Sequence, residues 1–174
     1  MWTETTFNLT RREIRTNRPF EDVVAALEAK APVVVAETNH QLLGNDTIAA
    51  LGAGRLDGTE LRRRVEARLG SSGFMLLMKV EHDLLMGDLG RKHRSVQYAI
   101  GNPLIAKDVS DAAAKVCLYT PLRLAVLEDE KDGSTWVLYD NPESLMGSFG
   151  SAAAQKIGSS LNKRIAGLIE SAVG

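Results

Sequence analysis

Two apolar periods alternate along the chain, one of every second residue and one of every third or fourth. Val96, Tyr98 and Ile100 alternate with Ser95, Gln97 and Ala99, the pattern of a half-buried strand, here from about His93 to Gly101. Leu122, Leu124, Val126 and Glu128 share one parity within a strand predicted over Leu118 to Glu130. The acidic run Glu128 to Asp132 with Gly133 then turns the chain into a partner strand, Thr135 to Asp140. Phe74 to His82 is apolar at both parities at its start, which predicts a central strand. In this reading Phe74, Leu76, Met78, Val80 and His82 share one face, and Glu81 points to the other. Thr5 to Thr16, with Phe7, Leu9 and Ile14, predicts a first strand.

The helical period is clearest at the C-terminus. Ile157, Leu161, Ile165, Leu168, Ile169 and Val173 form one stripe along a helix from Ala152 to Val173, facing either the core or a second copy. Pro19 opens an earlier helix that carries Phe20, Val23, Val24 and Leu27 and ends near Pro32. Glu21 and Asp22 lie in its first turn, where the helix dipole favours negative charge. Thr59 caps a helix over Glu60 to Leu69, whose Arg62, Arg63 and Arg64 read as a solvated face balanced by Glu60 and Glu66. A short helix is expected over Leu84 to Leu89. Gly101-Asn102-Pro103 ends a strand and starts a helix, with Asn102 as its cap. An anion at that N-terminus is the less favoured alternative. Residues 32–58 hold Val33 to Val35, readable as strand or helical turn, and the glycines Gly52, Gly54 and Gly58. They read as an insertion. Strands joined by short turns, with helices between, predict an α+β fold: an antiparallel sheet with helices packed on one face.

The 174 residues suffice for one domain with a core of its own. A net charge of -1 lacks the basic footprint of a nucleic-acid binder, so no nucleic acid is expected as partner. No apolar run reaches the length of a membrane span, no basic and apolar leader opens the chain, and a cytoplasmic protein is expected. Cys117 is the single cysteine, which excludes an internal disulfide. Its apolar neighbours predict a buried, inert thiol.

Phosphate-loop, dinucleotide, zinc and nucleophile-elbow motifs are all missing. No cofactor and no metal site is therefore expected. Glu81-His82-Asp83 is the most suggestive cluster. His82 has the side chain for proton transfer, and it also suits a structural role at the sheet rim. Glu128 extends an apolar parity, and so either projects into a cavity or begins the polar hairpin. Tyr139-Asp140-Asn141-Pro142 reads as a turn. His40 and His93 read as surface or loop residues.

Several blocks taken together are similar to a known family. These are Gly73-Phe74-Met75 through Val80-Glu81-His82-Asp83, Ala99 through Leu104, Tyr119-Thr120-Pro121-Leu122-Arg123, Leu127-Glu128-Asp129 and Val137 through Asp140. In this order they resemble the domain-of-unknown-function 302 family, and the Pro19 to Val24 helix resembles its first helix. The likeness extends from about Thr5 onward, interrupted by residues 32–58. It implies a β-α-β-β-β-β-α core of the TATA-binding-protein-like kind and a homodimer, and it implies no activity. A TATA-box role does not follow from the fold. The polar residues on the matching blocks are His82, Asn102, Glu128 and Tyr139.

The favoured expectation is a non-catalytic homodimer that binds a small-molecule ligand or a partner between sheet and helices. The alternatives are an enzyme with His82 as acid or base, assisted by Glu128 or Asp140, and a dimer built on the C-terminal stripe.

Overall fold

A computed structural model describes residues 1–34, 53, 57–86 and 94–174. Strand β1 (Arg11–Thr16) is followed by helix α1 (Phe20–Lys30) and, after the insertion, helix α2 (Gly58–Glu66). Then come β2 (Met75–Glu81), the one-turn helix α3 (His82–Met86), β3 (Ser95–Gly101) and α4 (Pro103–Ala112). A 3-10 segment (Ala114–Tyr119) leads into β4 (Leu122–Glu128), β5 (Thr135–Asp140), the short helix α5 (Pro142–Gly147) and the long helix α6 (Ala152–Val173). The strands form one antiparallel sheet in the order β1-β5-β4-β3-β2. This is the α+β architecture expected from the sequence.

Register explains which face is dry. The pairs Val96–Val126, Tyr98–Leu124 and Ile100–Leu122 join β3 to β4, and Val126–Val137 and Leu124–Tyr139 join β4 to β5. These side chains are buried in one cluster with Val23 and Leu27 of α1 and with Leu161, Ile165, Leu168 and Ile169 of α6. The C-terminal stripe therefore belongs to the core. Ile165 is 1 % exposed, so the middle of the stripe is spent on this chain's own core, while Ile157 and Val173 at its ends are half-buried. The other parity, with Trp136, Leu138, Leu127, Ala125, Gln97 and Val80, is half-buried, and Met78 is exposed.

One strand departs from the expected parity. Leu76 pairs with Ile100 but Met78 pairs with Ala99, so Leu77 is an extra residue, a β-bulge. Beyond it every side chain changes face. Lys79 and Glu81 lie opposite Tyr98 and Val96 on the helix-covered face, while Met78 and Val80 take the other side. The expectation that Met78, Val80 and His82 continue the face of Phe74 and Leu76 is thereby corrected. The charges on the covered face are compensated. Lys79 Nζ lies 3.0 Å from Glu28 Oε1 of α1 and 3.2 Å from Glu81. The buried Tyr98 hydroxyl donates to Glu28 at 2.6 Å. Burial, with Glu28 alongside, pushes the Tyr98 phenol well above its ordinary value.

Nor is the strand central, as its apolar start predicts: β2 is the edge strand of the sheet, with β3 as its one strand neighbour among the described residues. Leu76 bridges Val33 in parallel, and Val34 N–H donates to Leu76 O at 2.7 Å. The chain after α1 thus borders the start of β2. Most of the insertion, residues 35–52 and 54–56, lies outside the described residues, as do His40 and His93.

Local chemistry accounts for the helix starts. Asp57 accepts from Glu60 N–H, Asn102 from Leu104 N–H, Asn141 from Glu143 N–H and Ser151 from Ala154 N–H. Asp57, rather than Thr59, is the cap of α2. On α2, Glu60 accepts from both Arg63 and Arg64, and Arg62 pairs with Glu66, the solvated face expected of the arginine run. Cys117 is exposed, not buried, because the chain between α4 and β4 turns as a 3-10 segment and buries Val116 instead.

The β4–β5 hairpin is held by polar contacts. Trp136 Nε1 donates to Asp129 at 2.9 Å, and Arg15 of β1 bonds both Ser134 and Asp132. Ser134 and Arg15 hold the Asp132 carboxyl at about 2. A depressed carboxylate contributes its stabilisation fully above the unfolded pKa and loses it as pH falls through the folded value. Asp132 is therefore expected to titrate near pH 2 by NMR, and Arg15→Gln is expected to move the midpoint upward. An unmoved midpoint would remove Arg15 from the clamp.

Candidate functional site

The sheet has two ends, and the sequence-derived candidates divide between them. His82 and Glu128 lie at the end where β3 begins and β4 finishes. Asn102 and Tyr139 lie at the other.

At the first end His82 is the half-buried first residue of α3, and the neighbouring Asp83 accepts from Ser95 N–H at 3.3 Å. Glu128 is held elsewhere. Arg94 reaches it with two nitrogens, at 2.7 and 3.2 Å, and reaches Glu21 of α1 with a third at 2.7 Å. The guanidinium also covers the Phe20 ring at 5.0 Å. The Glu128 carboxylate thus ties the sheet to α1. His82 continues β2 and Glu128 ends β4, with β3 between them, a separation of two strand spacings or about 10 Å. Asp140 is farther still. It lies three strand spacings across, about 14 Å, and about 13 Å along the strands from His82. It is engaged by Arg11 through Nε at 2.7 Å and Nη2 at 3.3 Å. The carboxylates named as helpers for His82 are each paired with an arginine and do not converge on it.

At the second end Tyr139 is buried, and its hydroxyl donates to Asn162 Oδ1 of α6 at 2.8 Å. Burial raises its pKa. It borders a narrow cleft of about 110 Å3 with Arg12 and Glu170.

Asn102 borders a second, more apolar feature. A cavity of about 320 Å3 opens where β3 meets α4 and where the chain enters β4. Ile100, Gly101, Asn102 and Pro103 form one wall, and Thr120, Pro121 and Leu122 the wall beside it. Phe74, just before β2, and Leu77 within it close one side, Ile105, Ala106 and Val109 close it from α4, Met146 from α5 and Leu161 from α6. The Thr120–Pro121 peptide is cis. Two of the blocks singled out in the sequence therefore meet here: strand antiparallelism carries Gly101-Asn102-Pro103 and Thr120-Pro121-Leu122 to the same end. The bulged Leu77 also turns towards this space.

Asn102 works first as a cap. Its Oδ1 accepts from Leu104 N–H at 2.9 Å and its Nδ2 donates to Gly73 O at 3.0 Å. The capping expectation is met, and the same side chain forms part of the cavity wall. Thr120 Oγ1 lies 3.5 Å from Val116 O, a contact at the outer limit of hydrogen bonding. Sequence reasoning did not find Thr120, Leu77 or Ala106 as site residues. Their only signal was membership of apolar or turn blocks. Among the described residues no group of three or more His, Cys, Asp or Glu side chains is arranged to hold a metal ion. No helix among them is long and apolar enough to cross a membrane.

The pattern of one protein family, Domain of unknown function DUF302, matches residues 55–172, more than half of the chain. The chain belongs to the DUF302 family. A solved structure agrees with the DUF302 assignment at the level of fold. The crystal structure of the uncharacterized conserved protein DUF302 from Bacillus stearothermophilus superposes with a TM-score of 0.62 at 16% identity, covering 92% of this chain and 96% of that one. No curated protein matches the chain. The family's description assigns no activity, so the DUF302 match says what the fold is and leaves function to the site.

Proposed function

We propose that this DUF302 protein is a non-catalytic, cytoplasmic homodimeric module whose apolar cavity beside Asn102 binds a small molecule. The cavity carries the reading. Ligand sites are concave, mostly apolar and furnished with a few placed polar groups, in a size range beginning near 300 Å3, and this one has about 320 Å3 with Asn102 and Thr120 as its polar members. Of the four rim residues expected from the sequence, His82, Asn102, Glu128 and Tyr139, this cavity is lined by Asn102.

The test uses p-xylene as a generic apolar probe. Saturating p-xylene is expected to raise Tm by a few degrees, because a ligand that binds only the native state stabilises it by mass action. Ala106→Phe, which puts a ring into the cavity from α4, is expected to abolish that rise while remaining folded. A rise of equal size in wild type and variant would place binding elsewhere and end the reading.

The homodimer reading rests on the sheet face opposite α1 and α6, where, among the described residues, Trp136, Leu138 and Leu127 are half-buried and Met78 is exposed. Light scattering on the purified protein is expected to give twice the chain mass. Leu138→Glu is expected to halve it with the circular dichroism spectrum unchanged. A monomeric wild type removes the dimer, and a dimeric variant removes this face from it.

A further inference from the structure

The lining of the cavity carries a statement about the ligand's charge, and it rests on the cavity being a binding site. Among the described residues no lysine, arginine, histidine, aspartate or glutamate contributes to the wall. An ion placed there would give up its hydration and find no countercharge, which is costly in an apolar site. A neutral group loses far less, provided its polar atom meets a partner.

Two polar side chains line this cavity. Asn102 and Thr120 each lie two residues beyond the last β3–β4 pair, Ile100–Leu122. A carboxamide has two N–H donors, and among the described residues Asn102 Nδ2 meets one acceptor, Gly73 O. The Thr120 hydroxyl makes only the long contact to Val116 O, so it can turn to a better acceptor. Both groups therefore offer a donor to an oxygen on the ligand. Asn102 is 9 % exposed, so a donor on it is largely withdrawn from water. The rest of the wall is hydrocarbon. Its volume, about 320 Å3, is roughly twice that of an engineered apolar cavity of about 150 Å3 that takes benzene, which corresponds to about ten to twelve non-hydrogen ligand atoms.

We propose that the cavity selects uncharged, medium-length hydrocarbon ligands ending in a single carbonyl or hydroxyl oxygen, and rejects the carboxylate and ammonium ions of the same length. Asn102 and Thr120 hold the oxygen, and Leu77, Ile105 and Val109 surround the chain. Arg164 approaches this region through Phe74 and Gly73. It is exposed, bonds the carbonyls of Ser72 and Gly73 and stacks on Phe74 at 4.9 Å. It is not part of the wall.

The experiment compares nonane, 2-nonanone, nonanoate and nonylamine by calorimetric titration at pH 7.5, on wild type and on Thr120→Val. The expected result is binding of 2-nonanone at least tenfold tighter than either ion. In Thr120→Val the ketone is expected to weaken three- to tenfold while nonane is unchanged, a split that a merely structural threonine would not produce. Nonanoate binding as tightly as the ketone would overturn the selectivity and implicate Arg164, while leaving the cavity as a binding site. Equal loss of nonane and ketone in Thr120→Val would overturn the role of the hydroxyl. Failure of all four probes to bind would overturn both this selectivity and the cavity reading on which it rests.

Discussion

Replacing Ile165 by aspartate is expected to abolish cooperative unfolding at 25 °C. Ile165 is 1 % exposed on α6, within the cluster that joins this helix to the sheet and α1. Two effects add. Losing the isoleucine side chain from a packed core costs about 2–5 kcal/mol even when alanine replaces it. The carboxylate then either stays ionised without a partner or takes up a proton, and each costs several kcal/mol more. The sum is on the order of the whole stability of a typical domain, about 5–15 kcal/mol. Ile165→Val, which keeps the shape, is expected to cost only about 0.5–1.5 kcal/mol. Urea titration followed by circular dichroism checks both. A folded, monomeric Ile165→Asp protein would show that the stripe faces a second copy after all.

The second large effect sets two glycines of one helix against each other. A Cβ added at Gly158 would lie 2.6 Å from Pro142 O and 2.9 Å from Glu143 Cα. Both obstacles are backbone atoms at the start of α5, so no rotamer change relieves them. Nor is α5 free to retreat. Asn141 caps it, Asn141 N–H is tied to Thr10 O, and Met146 is buried in the core. At Gly167, farther along α6, the added Cβ meets nothing within 4 Å. Glycine inside a helix ordinarily costs about 0.5–1 kcal/mol relative to alanine. Gly167→Ala is therefore expected to stabilise by about that amount, whereas Gly158→Ala is expected to destabilise by about 1–3 kcal/mol, the usual cost of overpacking. Denaturation midpoints with unchanged m values decide the matter. Two shifts of the same sign would mean that the α5–α6 crossing yields.

Regular periods made most of the fold legible. The α6 stripe is long enough to define both its ends, the alternation at Val96, Tyr98 and Ile100 puts the right face inward, and Asn102-Pro103 announces a cap by local chemistry alone. Three misreadings share a cause. The Leu77 bulge, the 3-10 segment that exposes Cys117, and α5 after the Tyr139 turn are each settled by packing between segments distant in sequence. Strand β1 is shorter than its apolar pattern, beginning at Arg11 because β5 offers partners only as far as Asp140. Of the four polar residues named from the sequence, Asn102 is the one that lines the cavity. His82 and Glu128 drew notice by residue type, but Arg94 engages Glu128, and β3 separates the pair. Thr120 joins Asn102 through strand pairing that no local pattern announces.

The bulge gives β2 a peculiar grammar. Leu77 lines the cavity at one end of the strand, and by standing outside the ladder it decides the orientation of Lys79 and Glu81 at the other. Substitution at Leu77 changes a wall. Deletion removes only the surplus residue, since Leu76 would stay opposite Ile100 and Met78 opposite Ala99. Drawing Leu77 into the ladder instead would set Met78 and Val80 opposite Tyr98 and Val96 and turn Lys79 away from Glu28. In this strand the choice of the residue that stands outside the ladder is information in its own right, distinct from the identity of any residue, because a slip by one position exchanges the two faces.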